Sequence, residues 1–104
     1  MIQRYFLKEV HMALSGKQKR GLRAAGTYLK PEVWIGKEGI TDGTIQTIEN
    51  SFNTKELVKI KLLESFSLGK EEAAEIIREQ TNSEVVQIIG HTILIYRPFP
   101  KEHE

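Results

Sequence analysis

Cysteine is absent from all 104 residues. Its absence removes a disulfide framework, a thiol nucleophile and any thiolate metal site. Histidine is scarce, and His11, His91 and His103 stand far apart without a partner at metal-ligand or catalytic-triad spacing. Surface positions are therefore expected for all three. No apolar run approaches the roughly 20 residues that cross a bilayer. The first eleven residues, Met1 to His11, lack the long apolar centre and small-residue cleavage site of a secretory signal. Cytoplasmic residence is the default expectation, although cysteine-free chains are also exported. Phosphate chemistry of the familiar kind is missing too. Gly36-Lys37-Glu38-Gly39-Ile40-Thr41 lacks the Gly-Lys-Ser/Thr ending of a nucleotide loop, and Gly43 does not complete a dinucleotide fingerprint. The adjacent Glu71 and Glu72 belong to a solvated helix face and not to an acid–base pair. A non-enzymatic monomer is expected, with no cofactor, metal, membrane or small-molecule substrate.

What the chain does contain is charge, unevenly spread. The formal net charge is only +1, yet residues 1–31 hold seven basic side chains against Glu9 alone, while residues 32–104 hold eight basic and thirteen acidic ones. A nearly neutral protein with one strongly basic end suits a polyanionic partner, a solvated helix face being the plainer alternative. Residues 1–13 read as an extension, with Met12 a second possible start. Ser15 and Gln18 then form a capping-box pattern that opens a helix running to about Tyr28 or Leu29, ahead of Lys30-Pro31. On a helical projection Leu14, Gln18, Leu22, Ala25, Tyr28 and Leu29 share the apolar side. Lys19, Arg20 and Arg23 fall on the other, with Lys17 near its edge.

Val33–Ile35 reads as a short strand, followed by a glycine turn and a helix from about Thr41 to Phe52. Leu57–Leu63 alternates, with Val58, Ile60 and Leu62 on one side and Lys59 and Lys61 on the other. A third helix reaches about Thr81, with Glu71, Glu72, Glu75 and Glu79 along its exposed side, and Asn82-Ser83 closes it. Glu84–Ile89 and Thr92–Arg97 are β-branched runs joined at Gly90-His91, the pattern of a tight hairpin. The order α-β-α-β-α-β-β gives an α/β (α+β two-layer) fold. Helical crossovers make the first three strands parallel, and the hairpin adds an antiparallel fourth, giving a mixed four-stranded sheet.

The glycine turn is the sharpest functional signal. Gly36 and Gly39 flank Lys37 and Glu38 between a strand and a helix, leaving backbone N–H groups uncovered beside the positive end of a helix dipole, where phosphate binds well. Trp34, the only tryptophan, stands beside it, and packing in the core or at an edge is expected of it before base stacking. Lys59 and Lys61 gain interest only if their sheet face lies next to the first helix.

Leu14-Ser15-Gly16-Lys17-Gln18-Lys19-Arg20, Leu29-Lys30-Pro31, Ile35 to Thr41, Glu56 to Lys61 and Val86 to Gly90 followed by Tyr96-Arg97 together resemble the CRM domain, in its stand-alone bacterial YhbY-type form. The resemblance covers about residues 14–98 and leaves 99–104 as a tail. It implies a fold like the C-terminal domain of translation initiation factor three, with sheet order 1-2-4-3 and the fourth strand antiparallel. It also implies RNA binding, and association with ribosomal RNA in precursors of the large subunit. Gly36, Lys37, Glu38 and Gly39 are likened to the backbone-clamping loop of KH domains, and Lys17, Lys19, Arg20 and Lys30 match family positions. Arg23 joins them from the helix projection. The expected function is RNA binding that assists large-subunit assembly. The alternatives are a protein-interaction module docking on a ribosomal protein through the acidic third helix, and a nucleotide-handling enzyme using the glycine turn.

Overall fold

The computed structural model describes residues 14–100. The extension over residues 1–13, the end of the tail, and with them His11 and His103, lie outside the described residues. The elements are α1 (Gly16–Gly26), β1 (Val33–Ile35), α2 (Asp42–Phe52), β2 (Leu57–Leu62), α3 (Lys70–Thr81), β3 (Glu84–Ile89) and β4 (Thr92–Tyr96). The sheet order is β1-β2-β4-β3. β1 runs parallel to β2, and β4 is antiparallel to both β2 and β3. Three strands therefore share one direction and the hairpin strand slots between two of them, as expected.

Alternation along the strands builds the core. Val33 and Ile35, Val58, Ile60 and Leu62, and Ile93 and Ile95 all point to one face, where Ile48 and Phe52 of α2 and Ala73, Ala74 and Ile77 of α3 cover them. The two alanines let α3 lie close, and the layer it forms with α2 is the second layer of the fold. Each helix has one end fixed by specific chemistry. Thr41 caps α2 through reciprocal bonds with Thr44. Asn82, at φ 55°, takes the left-handed conformation that ends α3, and its N–H and that of Ser83 both donate to the Arg78 carbonyl. Thr81 and Ser83 are buried but satisfied, since the Thr81 hydroxyl donates to the Ile77 carbonyl at 2.7 Å and shares a 2.8 Å bond with Ser83. Arg97 then clasps this end of the fold. Its guanidinium donates twice to Glu49 and once to the Thr81 carbonyl, and lies 4.5 Å from the centre of the Phe52 ring.

α1 lies on the opposite face, against β2 and β3, and here the structure departs from the helical projection. Ser15 and Gln18 do form the capping box. Of the expected apolar side Leu14, Leu22 and Leu29 are half-buried, but Gln18, Ala25 and Tyr28 are exposed, and Lys19, Arg23 and Gly26 turn toward the sheet with Leu22. The cause is Gly26. A Cβ there would meet Leu94 Cδ2 at 2.4 Å, so the missing side chain is what lets the helix backbone settle on the sheet. The contact line then follows Gly26 back by one and two turns, which leaves Arg23 and Lys19 half-buried on the sheet side. The helix also ends at Gly26, two residues before the expected Tyr28, and Thr27 closes it with its N–H and its hydroxyl both donating to the Arg23 carbonyl.

Candidate nucleic-acid interface

The face on which α1 lies consists of three rows of side chains read across the strands. Leu57, Tyr96 and Glu84 form the first, Lys59, Leu94 and Gln87 the second, and Trp34, Lys61, Thr92 and Ile89 the third. α1 occupies the first two, with Leu22 near Tyr96 and Gly26 on Leu94. The third row is left open. Lys59 and Lys61 thus do share a face with the first helix, but their roles differ. Lys59 Nζ donates to the Leu29 carbonyl at 2.9 Å and ties down the segment leaving α1, while Lys61 is exposed.

Of the basic residues singled out, Lys17, Arg20, Lys30 and Lys37 are exposed, and Lys19 and Arg23 are half-buried. Lys19 lies on the side of α1 that faces Glu84. It acts on Glu84, whose carboxyl is pushed above the ordinary range by burial, with Lys19 and Arg78 pulling it back. One Glu84 oxygen is buried without a hydrogen-bond partner among the described residues.

The glycine turn leaves the sheet from the end of β1, at the rim of the open row, and the chain then crosses to α2 on the other face. Gly39 has φ 77°, a conformation that costs other residues about 1–2 kcal/mol. At Gly36 a Cβ would press on Ser65 Oγ at 3.1 Å. The turn is closed by the Gly39 N–H donating to the Gly36 carbonyl at 3.0 Å, so that amide is already used. The N–H groups of Lys37, Glu38 and Ile40 have no acceptor among the described residues. The helix end contributes less than expected, because Thr41 and Thr44 cap it and Asp42 stands in its first turn. The turn therefore offers an anion unpartnered backbone amides and the exposed Lys37, with the exposed Glu38 carboxylate opposing it.

Residues 14–97 match the family profile described as the CRS1 / YhbY (CRM) domain. The chain belongs to the CRM family. The YqeI protein of Bacillus subtilis, named a probable RNA-binding protein, is 37% identical over 84 residues, covering 81% of this chain and 88% of its own. A Haemophilus influenzae protein named RNA-binding protein is 38% identical over 85 residues, covering 82% of this chain and 86% of its own. The solution structure of SAV1595 from Staphylococcus aureus superposes with a TM-score of 0.73 at 40% identity, covering 88% of this chain and 95% of that one. The turn and the basic helix of this CRM domain both fall inside the matched span.

Three large apolar residues are more exposed than the sequence reading expected. Trp34 is 58% exposed and not packed in the core, Ile89 is 61% exposed, and Tyr28 at the end of α1 is 88% exposed. Trp34 was accessible to reasoning, since Val33 and Ile35 in the core force the residue between them to the other face. Ile89 was not, because a bulge at Val85/Gln87 changes which residues of β3 face the core. Among the described residues no three metal-ligating side chains gather, and no helix is long and apolar enough to cross a membrane.

Proposed function

We propose that this CRM domain binds ribosomal RNA in precursors of the large subunit and assists their assembly, as a cytoplasmic monomer and without catalysing a reaction. One observation supports this most. The exposed cations of α1, with Lys30 after it, and a turn with three unpartnered amides border the same sheet face. Lys17, Arg20, Lys30 and Lys37 draw in a phosphate backbone, with Lys19 and Arg23 contributing from the helix's inner edge. Each phosphate neutralised adds to a salt-dependent affinity. The Gly36–Gly39 turn then fixes the register of one backbone segment through its amides, which recognise phosphate and not sequence. The names of the bacterial relatives support the RNA-binding part of this reading.

The experiment is sedimentation of the protein with large-subunit precursors on gradients of rising salt. Wild type is expected to co-sediment at low salt and dissociate as salt rises, and a Lys17/Arg20/Lys30 triple glutamine variant to dissociate at lower salt. Association indifferent to both changes contradicts the proposal. A second reading has its own observation, the exposed Glu71, Glu72, Glu75 and Glu79 of α3, which suit a basic protein. If α3 were the docking surface, reversing Glu72 and Glu75 would abolish association and the triple variant would not.

A further inference from the structure

The row that α1 leaves uncovered differs in chemistry from the basic helix and the glycine turn on either side of it. Trp34 and Ile89 sit at its two ends, and Lys61 and Thr92 lie between them by strand register. Three strand spacings separate the ends, about 14 Å. Two large apolar side chains more than half exposed at the ends of one sheet row are unusual where nothing among the described residues covers them. Between this row and the end of α1 lies a groove of about 270 Å³, lined by Thr27, Lys59, Gln87, Ile89 and Thr92 over a floor of Leu94. Its walls therefore combine an apolar floor with an amide, two hydroxyls and an ammonium. Tyr28 stands between Thr27 of the groove and Leu29, whose carbonyl holds Lys59. The acidic residue nearest in register, Glu32, is ion-paired with Lys55 at 2.6 Å, and the exposed Glu38 of the glycine turn is the acidic group at the rim beside Trp34.

We propose that this open row and its groove form a docking site for unpaired bases of RNA, with Trp34 as the stacking surface and Gln87, Thr92 and Thr27 as hydrogen-bonding groups toward a base edge. The occupant follows from the chemistry. A flat aromatic ring beside an exposed lysine suits a base stacked on the ring with its phosphate near the ammonium. A buried-type protein contact would not place Lys61 in the middle of the apolar patch. The site rests on the RNA-binding reading above and adds to it. It specifies that the bound RNA presents single-stranded nucleotides, at a loop or bulge, between the two backbone contacts. Double-stranded RNA cannot supply them, because its bases are paired and stacked.

Trp34 is the only tryptophan, so its fluorescence reports on this site directly. The experiment titrates the full chain with three probes: a single-stranded oligoribonucleotide, a stem-loop with an unpaired loop, and a blunt RNA duplex. Affinities of wild type, Trp34→Ala and Trp34→Phe are measured in parallel by filter binding. Trp34 is exposed, so neither variant endangers folding. The first two probes are expected to quench the tryptophan and the duplex to leave it nearly unchanged. Trp34→Ala is expected to weaken stem-loop binding about tenfold and duplex binding hardly at all, with the salt dependence kept. Trp34→Phe is expected to recover part of the loss. Equal stem-loop affinity of wild type and Trp34→Ala, with normal salt dependence, overturns the base site and leaves the backbone reading standing. Failure of wild type to bind any of the probes overturns both. A tryptophan response to RNA-free ribosomal protein but to no RNA assigns the row to a protein partner and also overturns the proposal.

Discussion

Glu84 lies in the first row of the open face, opposite Tyr96 and close enough to Lys19 to be influenced by its charge. Burial raises its carboxyl above the ordinary range, and it outweighs the opposing pull of Lys19 and Arg78. Burial also raises the Tyr96 phenol, with Glu56 adding to the shift. A carboxyl whose value is higher in the fold than in the unfolded chain binds its proton more tightly when folded. Its contribution to stability is complete below the unfolded value, about pH 4, and is lost as pH rises through the raised one. Glu84→Gln stays neutral throughout. The variant is therefore expected to unfold at higher urea than wild type at pH 7, with the difference closing near pH 4. A variant less stable at pH 7 would mean that attraction to Lys19 and Arg78 outweighs burial.

At the scale of elements, α1 contains the clearest test, because two of its glycines do opposite things. Gly21 is exposed, and a Cβ there would meet nothing within 4 Å. Gly26 is buried, and a Cβ there would fall 2.4 Å from Leu94. In a helix alanine is favoured over glycine by about 1 kcal/mol, whereas forcing a methyl into a packed contact costs about 1–3 kcal/mol. Gly21→Ala should raise stability by about 1 kcal/mol, and Gly26→Ala should lower it, both measured by chemical denaturation. Equal effects of the two would contradict the packing of α1 described above. The same helix marks the limit of what its sequence reveals. Its start was legible in Ser15 and Gln18 because a capping box is local chemistry. Its packed face was legible only through Leu14, Leu22 and Leu29, because a projection weighs Tyr28 and Ala25 as apolar and gives no weight to Gly26, whose importance lies in Leu94 across the sheet. The strands were legible for the opposite reason. Their alternation is strict wherever one face is the core, and it fails at the bulge in β3, where it breaks. The glycine turn was legible as a motif, but which of its amides are free depends on the Gly36–Gly39 bond, which no motif states.

Across the described residues, the basic side chains between Lys17 and Lys30 end up on one side. α1 and Lys30 lie along the open sheet face, and the Gly36–Gly39 turn marks its rim, while the acidic row of α3 packs with the layer on the far side. A near-neutral chain thereby becomes a polar one, with a face suited to a polyanion and a back that repels it. The central claim is that phosphate contacts by this face hold the RNA. It is tested most directly by the slope of log affinity against log salt for a stem-loop of large-subunit ribosomal RNA. Each contact adds about 0.7–0.9 to that slope. Removing the two exposed α1 cations together, Lys17→Gln with Arg20→Gln, should flatten it by about 1.5, while Glu72→Gln with Glu75→Gln on α3 should not flatten it. A slope that the Lys17/Arg20 variant leaves unchanged would contradict the account.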